Sequence, residues 1–224
     1  MLKTIKINKI PKLYPKHLKE NLLHREFSFT SGLNILYGQN GAGKSTLLEC
    51  IKDAYNIPRL KICSTPIYVS ESKFTYKIKK DNEVAINCDA FFHHNKMDEY
   101  FDYGVEQVLL TYDKGSQSQG ENKMEAQLVL SKFIERGSWQ NESFDRALPL
   151  LIMDEPTLSM SFKTERAFFN YMAQWAHGGY QIILATNSIA CFNTKWPNDV
   201  NYIEVEEGSI KEVKDNLKDY VKEL

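Results

Sequence analysis

The sequence predicts an α/β fold: a mostly parallel sheet flanked by helices, with an added antiparallel β layer. Three observations carry this. Strand-like and helix-like segments alternate in both halves of the 224-residue chain, the pattern that builds a parallel sheet. The runs LPLLIMD and YQIILAT are apolar almost throughout, as strands covered on both faces must be. Residues 66–89 change character and are rich in β-formers, which supplies the antiparallel layer.

Taken in order, MLKTIKINKI alternates apolar and basic residues, as an edge strand does. Pro11 and Pro15 interrupt the chain beyond it. HREFSFTSGLNILYG reads as a strand, a Ser-Gly turn and a second strand, LNILY. Over residues 44–55, Leu47, Leu48, Ile51 and Tyr55 recur at helical spacing. In PIYVSESKFTYKIKKDNEVAINC, Asp81-Asn82 is placed as a hairpin turn. Residues 97–112 look helical, and GSQSQGE is a loop. Residues 122–136 form an amphipathic helix with Met124, Leu128 and Phe133 inward and Gly137 as its stop. LPLLIMD is a central parallel strand. Residues 162–177 are helical and end at Gly178-Gly179. NYIEVEEGSIKEV reads as a hairpin, and the last residues as a charged helix. There is no internal repeat and no low-complexity linker.

Hydrophobic content of 42% and charged content of 25% fit a soluble globular protein. A net charge of −1 gives no global field that recruits nucleic acid. The distribution is less even, with seven Lys/Arg against two Glu in residues 1–26. That is either a solvated lysine face or a patch facing DNA or a partner. Cys50, Cys63, Cys88 and Cys191 form no C-x-x-C pair and read as scattered thiols in a reducing compartment. The adjacent His93-His94 reads as loop rather than metal site. No apolar leader or membrane-length run is present, so a cytoplasmic protein without direct membrane insertion is expected.

The chemistry concentrates at three places. YGQNGAGKST fits G-x-x-x-x-G-K-[ST] at Gly38, Gly43, Lys44 and Ser45, after a strand and before a helix. Glycines let backbone N–H groups converge on a phosphate, and the helix N-terminus adds positive potential. Lys44 would reach the β- and γ-phosphates of a nucleotide and Ser45 would hold Mg²⁺. The alternative is a mere tight glycine turn. LPLLIMDEPT ends in Asp154, suited to the Mg²⁺ shell, and Glu155, suited to act as general base toward water. The bland reading is a strand that simply finishes in acids. ILATNSIA turns polar abruptly at Thr186, Asn187 and Ser188, as strand ends facing ligands do.

In this order the motifs resemble an ATP-binding cassette (ABC) ATPase, over residues 33–213. SQGE, at Ser118–Glu121, resembles the family signature, with an apolar helix after it. DEPTLSMS resembles the Walker B segment running into the D-loop, and ILATNS the switch strand that normally ends in Thr-His-Ser. The resemblance implies a P-loop NTPase core with a small helical signature subdomain, all in one domain over 1–224. Residues 1–65 and 146–224 would form the nucleotide-binding core, and 66–145 the β-hairpin insert and signature region. It implies ATP and Mg²⁺ as cofactors. ATP would be held by Gly38, Gln39, Asn40, Gly41, Ala42, Gly43, Lys44, Ser45 and Thr46. Ser118 and Gly120 would act on the nucleotide of a second copy, giving an ATP-dependent homodimer. Ser45 and Asp154 would take the metal; Glu155, Lys44 and Asn187 would be catalytic.

The run FTSGLNILYGQNGAGKSTLL is similar to the small, armless, stand-alone and SMC/RecF-like ATPases of bacteria and phages. Three departures stand out. No glutamine lies between Gly41 and Glu106, so Ser70 or Glu71 of YVSES would replace the Q-loop residue. Ser161 stands at the D-loop aspartate position. Asn187 stands where the switch histidine is usual; it donates a hydrogen bond but carries no charge, which implies slow turnover. The other reading of Asn187 is a local turn former. Three functions fit these motifs: a soluble ATPase acting on a protein or DNA partner, a transporter cassette with Tyr14 as adenine stacker, or an ATP-gated switch with little hydrolysis.

Overall fold

The computed structural model describes residues 1–12, 14–56, 74–81, 85–88 and 150–223. Among the described residues, eight strands form two sheets. β1 (Leu2–Lys9), β2 (Glu26–Ser28) and β4 (Thr75–Lys80) make an antiparallel sheet ordered β2-β1-β4. β3 (Leu33–Tyr37), β5 (Ala85–Asn87), β6 (Leu150–Asp154), β7 (Gln181–Thr186) and β8 (Val200–Glu204) make a parallel sheet ordered β5-β6-β7-β3-β8. The described α-helices are α1 (Lys16–Leu22), α2 (Lys44–Ala54), α3 (Phe162–His177) and α4 (Ser209–Glu223).

The apolar runs behave as their composition requires. Every residue of β3 and β7 is buried, because successive side chains point to opposite covered faces. On one face, Leu36, Ile152, Ile183 and Ala185 pack with α2 and with Ile5 and Ile7 of β1. On the other, Leu33, Ile35, Met153 and Leu184 pack with Phe168, Phe169 and Met172 of α3. The molecule is thus layered, with α2 and the antiparallel sheet on one side of the parallel sheet and α3 on the other.

Several expectations change. β1 is the centre of its sheet, not an edge: β4, from far along the chain, closes its second side. β4 and β5 are not a hairpin around Asp81-Asn82, since they belong to different sheets. The expected hairpin after β8 is a strand followed by a helix. Gly208, at φ 85°, turns the chain and Glu204 Oε1 accepts from the Ile210 N–H at 2.8 Å in the first turn of α4. Helix α1 is an addition to the expected elements. The expected helices at 97–112 and 122–136, and Cys63, lie outside the described residues.

One buried amide ties the two sheets together, and a second holds the turn before β3 and its neighbour β8. Gln181 pairs with Leu2 as a strand would, accepting from its N–H and donating to its carbonyl, both at 2.8 Å. Asn34, fully buried in the middle of β3, accepts from Thr30 N–H at 2.8 Å and donates to Gly32 O at 2.9 Å. Asn201 donates to the same Asn34 oxygen at 3.0 Å. Removing Asn34 would leave those partly buried groups without a partner. Asn34→Ala is expected to cost about 1–3 kcal/mol, read as a lower urea midpoint. A midpoint equal to wild type would refute this account of the network.

Candidate phosphate-binding site

β3 ends at Tyr37, and residues 38–43 turn the chain into α2. Gly41 and Gly43 sit at φ 86° and 107°, in the left-handed region that a Cβ disfavours. Gly43 is the N-cap of α2, and no side chain caps that helix. The N–H groups of its first turn therefore have no intrahelical partner, and the helix dipole adds positive potential at the same point. Lys44 is only 5% exposed. Its ammonium donates to Gly38 O at 2.8 Å and Gln39 O at 3.2 Å, and pairs with Glu155 Oε1 at 3.3 Å.

Helix α1 supports this loop from below. A Cβ added at Gly43 would lie 2.9 Å from Leu22 Cδ1, so loop and helix are in close contact. Asn21 Nδ2 donates to Ala42 O at 3.1 Å. Arg25 then ties the end of α1 to β8, donating to Asn21 O at 2.9 Å, Val205 O at 2.6 Å and Glu204 O at 2.8 Å. Leu18 and Leu22, four residues apart just after Pro15, are the sequence signal for this brace.

The acidic strand β6 is not the direct neighbour of β3. β7 lies between them, with Asp154 in register with Ala185 and Tyr37 with Thr186. The next residue beyond each strand is therefore Glu155, Asn187 or Gly38. The Glu155 N–H donates to Ala185 O at 2.9 Å, and Glu155 takes a left-handed φ of 45°. Such backbone strain, about 1–3 kcal/mol, clusters at functional sites. It swings the carboxylate over β7 toward Lys44.

Asn187 closes the arrangement. Its Nδ2 donates to Asn40 Oδ1 at 2.8 Å, and its backbone N–H to Glu155 Oε2 at 3.4 Å. The local turn is held by other groups: Thr186 Oγ1 accepts from Ser188 N–H at 3.0 Å, and Ser188 Oγ from Ala190 N–H at 3.2 Å. The Asn187 amide thus reaches across to the glycine loop and does not fold its own turn. Tyr37 donates to Asn187 O at 3.4 Å. Burial, reinforced by the nearby Glu155 carboxylate, pushes this phenol up to about 12, so it stays a donor.

A family model for the AAA domain, AAA_23, matches residues 16–224. The chain belongs to the AAA domain family. Its glycine loop, its acidic strand and the polar strand end between them are features of a P-loop domain. Among solved structures, the chain is similar to a nucleotide-free ATP-binding cassette from an ABC transporter, at 12% identity over 96% of each chain and a TM-score of 0.49. It is also similar to an ATP-binding cassette of an ABC transporter in its ADP conformation, at 13% identity over 84% of this chain and 82% of that one, TM-score 0.44. A third is CbiO1 from Clostridium perfringens, at 16% identity over 83% and 78%, TM-score 0.40. No curated protein matches the sequence.

The AAA domain places the remaining candidates unevenly. Ser45 opens the first turn of α2, which packs on β6 and β7, and Asp154 ends β6. A hydroxyl and a carboxylate are the oxygen donors that suit Mg²⁺, and the uncapped glycine loop suits a phosphate. Ser161 is the N-cap of α3, accepting from Thr164 N–H at 3.3 Å; this explains a serine at that position. Tyr14 packs edge-on against Phe74, with centroids 5.0 Å apart, on the core. Ser70, Glu71, Ser118 and Gly120 lie outside the described residues. No described helix is long and apolar enough to cross a membrane.

Proposed function

We propose that this domain binds and slowly hydrolyses ATP as a soluble, cytoplasmic, ABC-type ATPase of the armless SMC/RecF-like kind. Two copies would close head to tail over two nucleotides, and closure would drive or gate a protein partner or a DNA transaction. The observation that carries this is the meeting of Lys44, Glu155, Asn40 and Asn187 at the ends of three parallel strands.

In this reading the N–H groups of residues 38–46 and the Lys44 ammonium hold the β- and γ-phosphates. Ser45 and Asp154 would hold Mg²⁺, which would supply positive charge beside the phosphate oxygens. Glu155 takes a proton from the attacking water. Asn187 donates its amide N–H to the γ-phosphate. Ser118 and Gly120 of a second copy complete the site, which makes hydrolysis depend on closure. A transporter subunit would use the same residues and differ in its partner; Tyr14, packed against Phe74, is then already engaged.

Asn187 favours a second reading, an ATP-gated switch with little hydrolysis. Its amide is neutral, and a charged hydrogen bond is roughly twice as strong as a neutral one. The missing charge is worth about 1–2 kcal/mol, or roughly tenfold in rate. Asn187→His is therefore expected to hydrolyse ATP about tenfold faster, monitored by phosphate release. A histidine variant no faster than wild type would refute the tempo role of Asn187.

A further inference from the structure

We propose that Glu165 is a positioning residue of the phosphate site. Through the Ser188 hydroxyl it fixes the direction in which Asn187 presents its amide, and so sets the preference for a nucleoside triphosphate over the diphosphate. This deepens the proposed function and rests on its contact between Asn187 and the γ-phosphate. Glu165 lies just beyond the cap of α3. Ser161 is the N-cap: its Oγ accepts from Thr164 N–H at 3.3 Å, and the two hydroxyls meet at 2.9 Å. The Glu165 N–H is already bonded to Ser161 O at 2.9 Å. The helix start is therefore capped without the Glu165 carboxylate. The helix dipole favours an acid in this turn but selects no partner for it. The carboxylate turns to the end of β7, where Ser188 Oγ donates to Glu165 Oε2 at 2.7 Å.

Distances decide which contact holds the turn. A hydroxyl donating to a carboxylate at 2.7 Å makes a charge-assisted bond, the stronger kind. The two bonds on the backbone of Asn187 are longer. Its N–H reaches Glu155 Oε2, and its carbonyl the Tyr37 phenol, both at 3.4 Å, beyond the usual range of a hydrogen bond. Ser188 has one hydroxyl proton to give. Because Glu165 takes it, the oxygen lone pairs accept from Ala190 N–H at 3.2 Å, where Ser188 caps the short helical turn Ile189–Asn193. Glu165 thus fixes the Ser188 side chain, and Ser188 fixes the backbone that carries Asn187. The Asn187 side chain is exposed, so its aim depends on that backbone.

The contacts close a ring. Glu155 begins the turn that leads into α3, with Leu158 N–H bonded to Glu155 O at 3.2 Å and Met160 N–H to Thr157 O at 2.9 Å. Glu165 stands on the first turn of α3 and holds Ser188, and the Asn187 N–H returns to Glu155 Oε2. The proposed base and the proposed γ-phosphate donor are therefore mounted on one frame. Moving Asn187 relative to Glu155 means breaking the 2.7 Å bond. A diphosphate lacks the group that Asn187 would touch, so the frame matters to the triphosphate alone.

Affinities of the full chain for ATP and for ADP, each with Mg²⁺, are measured by competition with a fluorescent nucleotide. A freed Asn187 must be ordered again at binding, so Glu165→Ala should weaken ATP about three- to tenfold and leave ADP unchanged. Ser188→Ala should do the same, and the double variant should be no worse than either single one. Glu165→Gln keeps an oxygen acceptor for the Ser188 hydroxyl and should restore most of the preference. In an Asn187→Ala background, Glu165→Ala should change the ratio of the two affinities no further, because it acts through that amide. An unchanged ratio in Glu165→Ala, or its full effect when Asn187 is already alanine, overturns the inference and leaves the γ-phosphate contact of Asn187 standing. A wild type with no preference for ATP overturns that contact and this inference together, so the two failures are told apart.

Discussion

Replacing Glu155 by glutamine is expected to lower ATP turnover by about 100- to 10,000-fold while ATP still binds. The two side chains have the same shape, so the left-handed turn after β6 is undisturbed. The amide cannot accept a proton from water. It also cannot form the charge pair that Glu155 makes with Lys44 at 3.3 Å, which leaves that ammonium a better partner for phosphate. Affinity should therefore hold or rise as turnover falls. Lys44→Ala should do the opposite and lose binding itself, because a cation 5% exposed in the loop is replaced by a methyl group. Steady-state phosphate release and binding of a fluorescent nucleotide separate the two. Wild-type turnover in Glu155→Gln would place the base elsewhere. Sizing the same variant with and without ATP tests closure; a monomer in both conditions counts against the dimer.

The parts legible in the sequence are those where one local pattern admits one answer. β6 and β7 are continuous apolar runs and form interior strands. The glycine loop between LNILY and an apolar-periodic helix sits in that setting. The illegible parts depend on distant partners. Alternation in β1 describes a half-covered strand equally well at an edge or in the centre, and only β4, supplied more than sixty residues later in the chain, decides between them. The two expected hairpins fail for a related reason. Strand, polar turn and apolar residues suggest local pairing, whereas β5 pairs with β6 and α4 winds from its own cap. Gln181 looks ordinary in the sequence because its partner is the backbone of Leu2 in a distant strand, and Asn34 because part of its network, Asn201 and the Ile182 carbonyl, also comes from distant strands. The polar strand end marks Asn187, but its reach to Asn40 depends on β7 lying between β3 and β6.

Gly43→Ala is expected to destabilise the domain by about 2–5 kcal/mol. The backbone contributes about 1–2 kcal/mol, because φ 107° is a conformation an L side chain resists. Crowding contributes about 1–3 kcal/mol, because the new Cβ would lie 2.9 Å from Leu22 Cδ1, 3.2 Å from Leu22 Cγ and 3.5 Å from Leu18 Cγ. The two contributions separate experimentally. At Gly41, φ is 86° but the nearest atom to a new Cβ, His17 Nε2, is 3.8 Å away, so Gly41→Ala carries backbone strain alone. Its urea midpoint should fall between wild type and Gly43→Ala. Trimming the helix beneath, in Gly43→Ala/Leu22→Ala, should make the two substitutions cost less together than the sum of their separate effects, since each relieves the other. Strict additivity would mean that α1 does not bear on the loop. Nucleotide binding should fall further than stability in Gly43→Ala, because pushing α1 away also strains the Asn21–Ala42 bond that fixes the loop's carbonyls. If binding instead follows the folded fraction and nothing more, the brace supports the fold and leaves the phosphate contacts untouched.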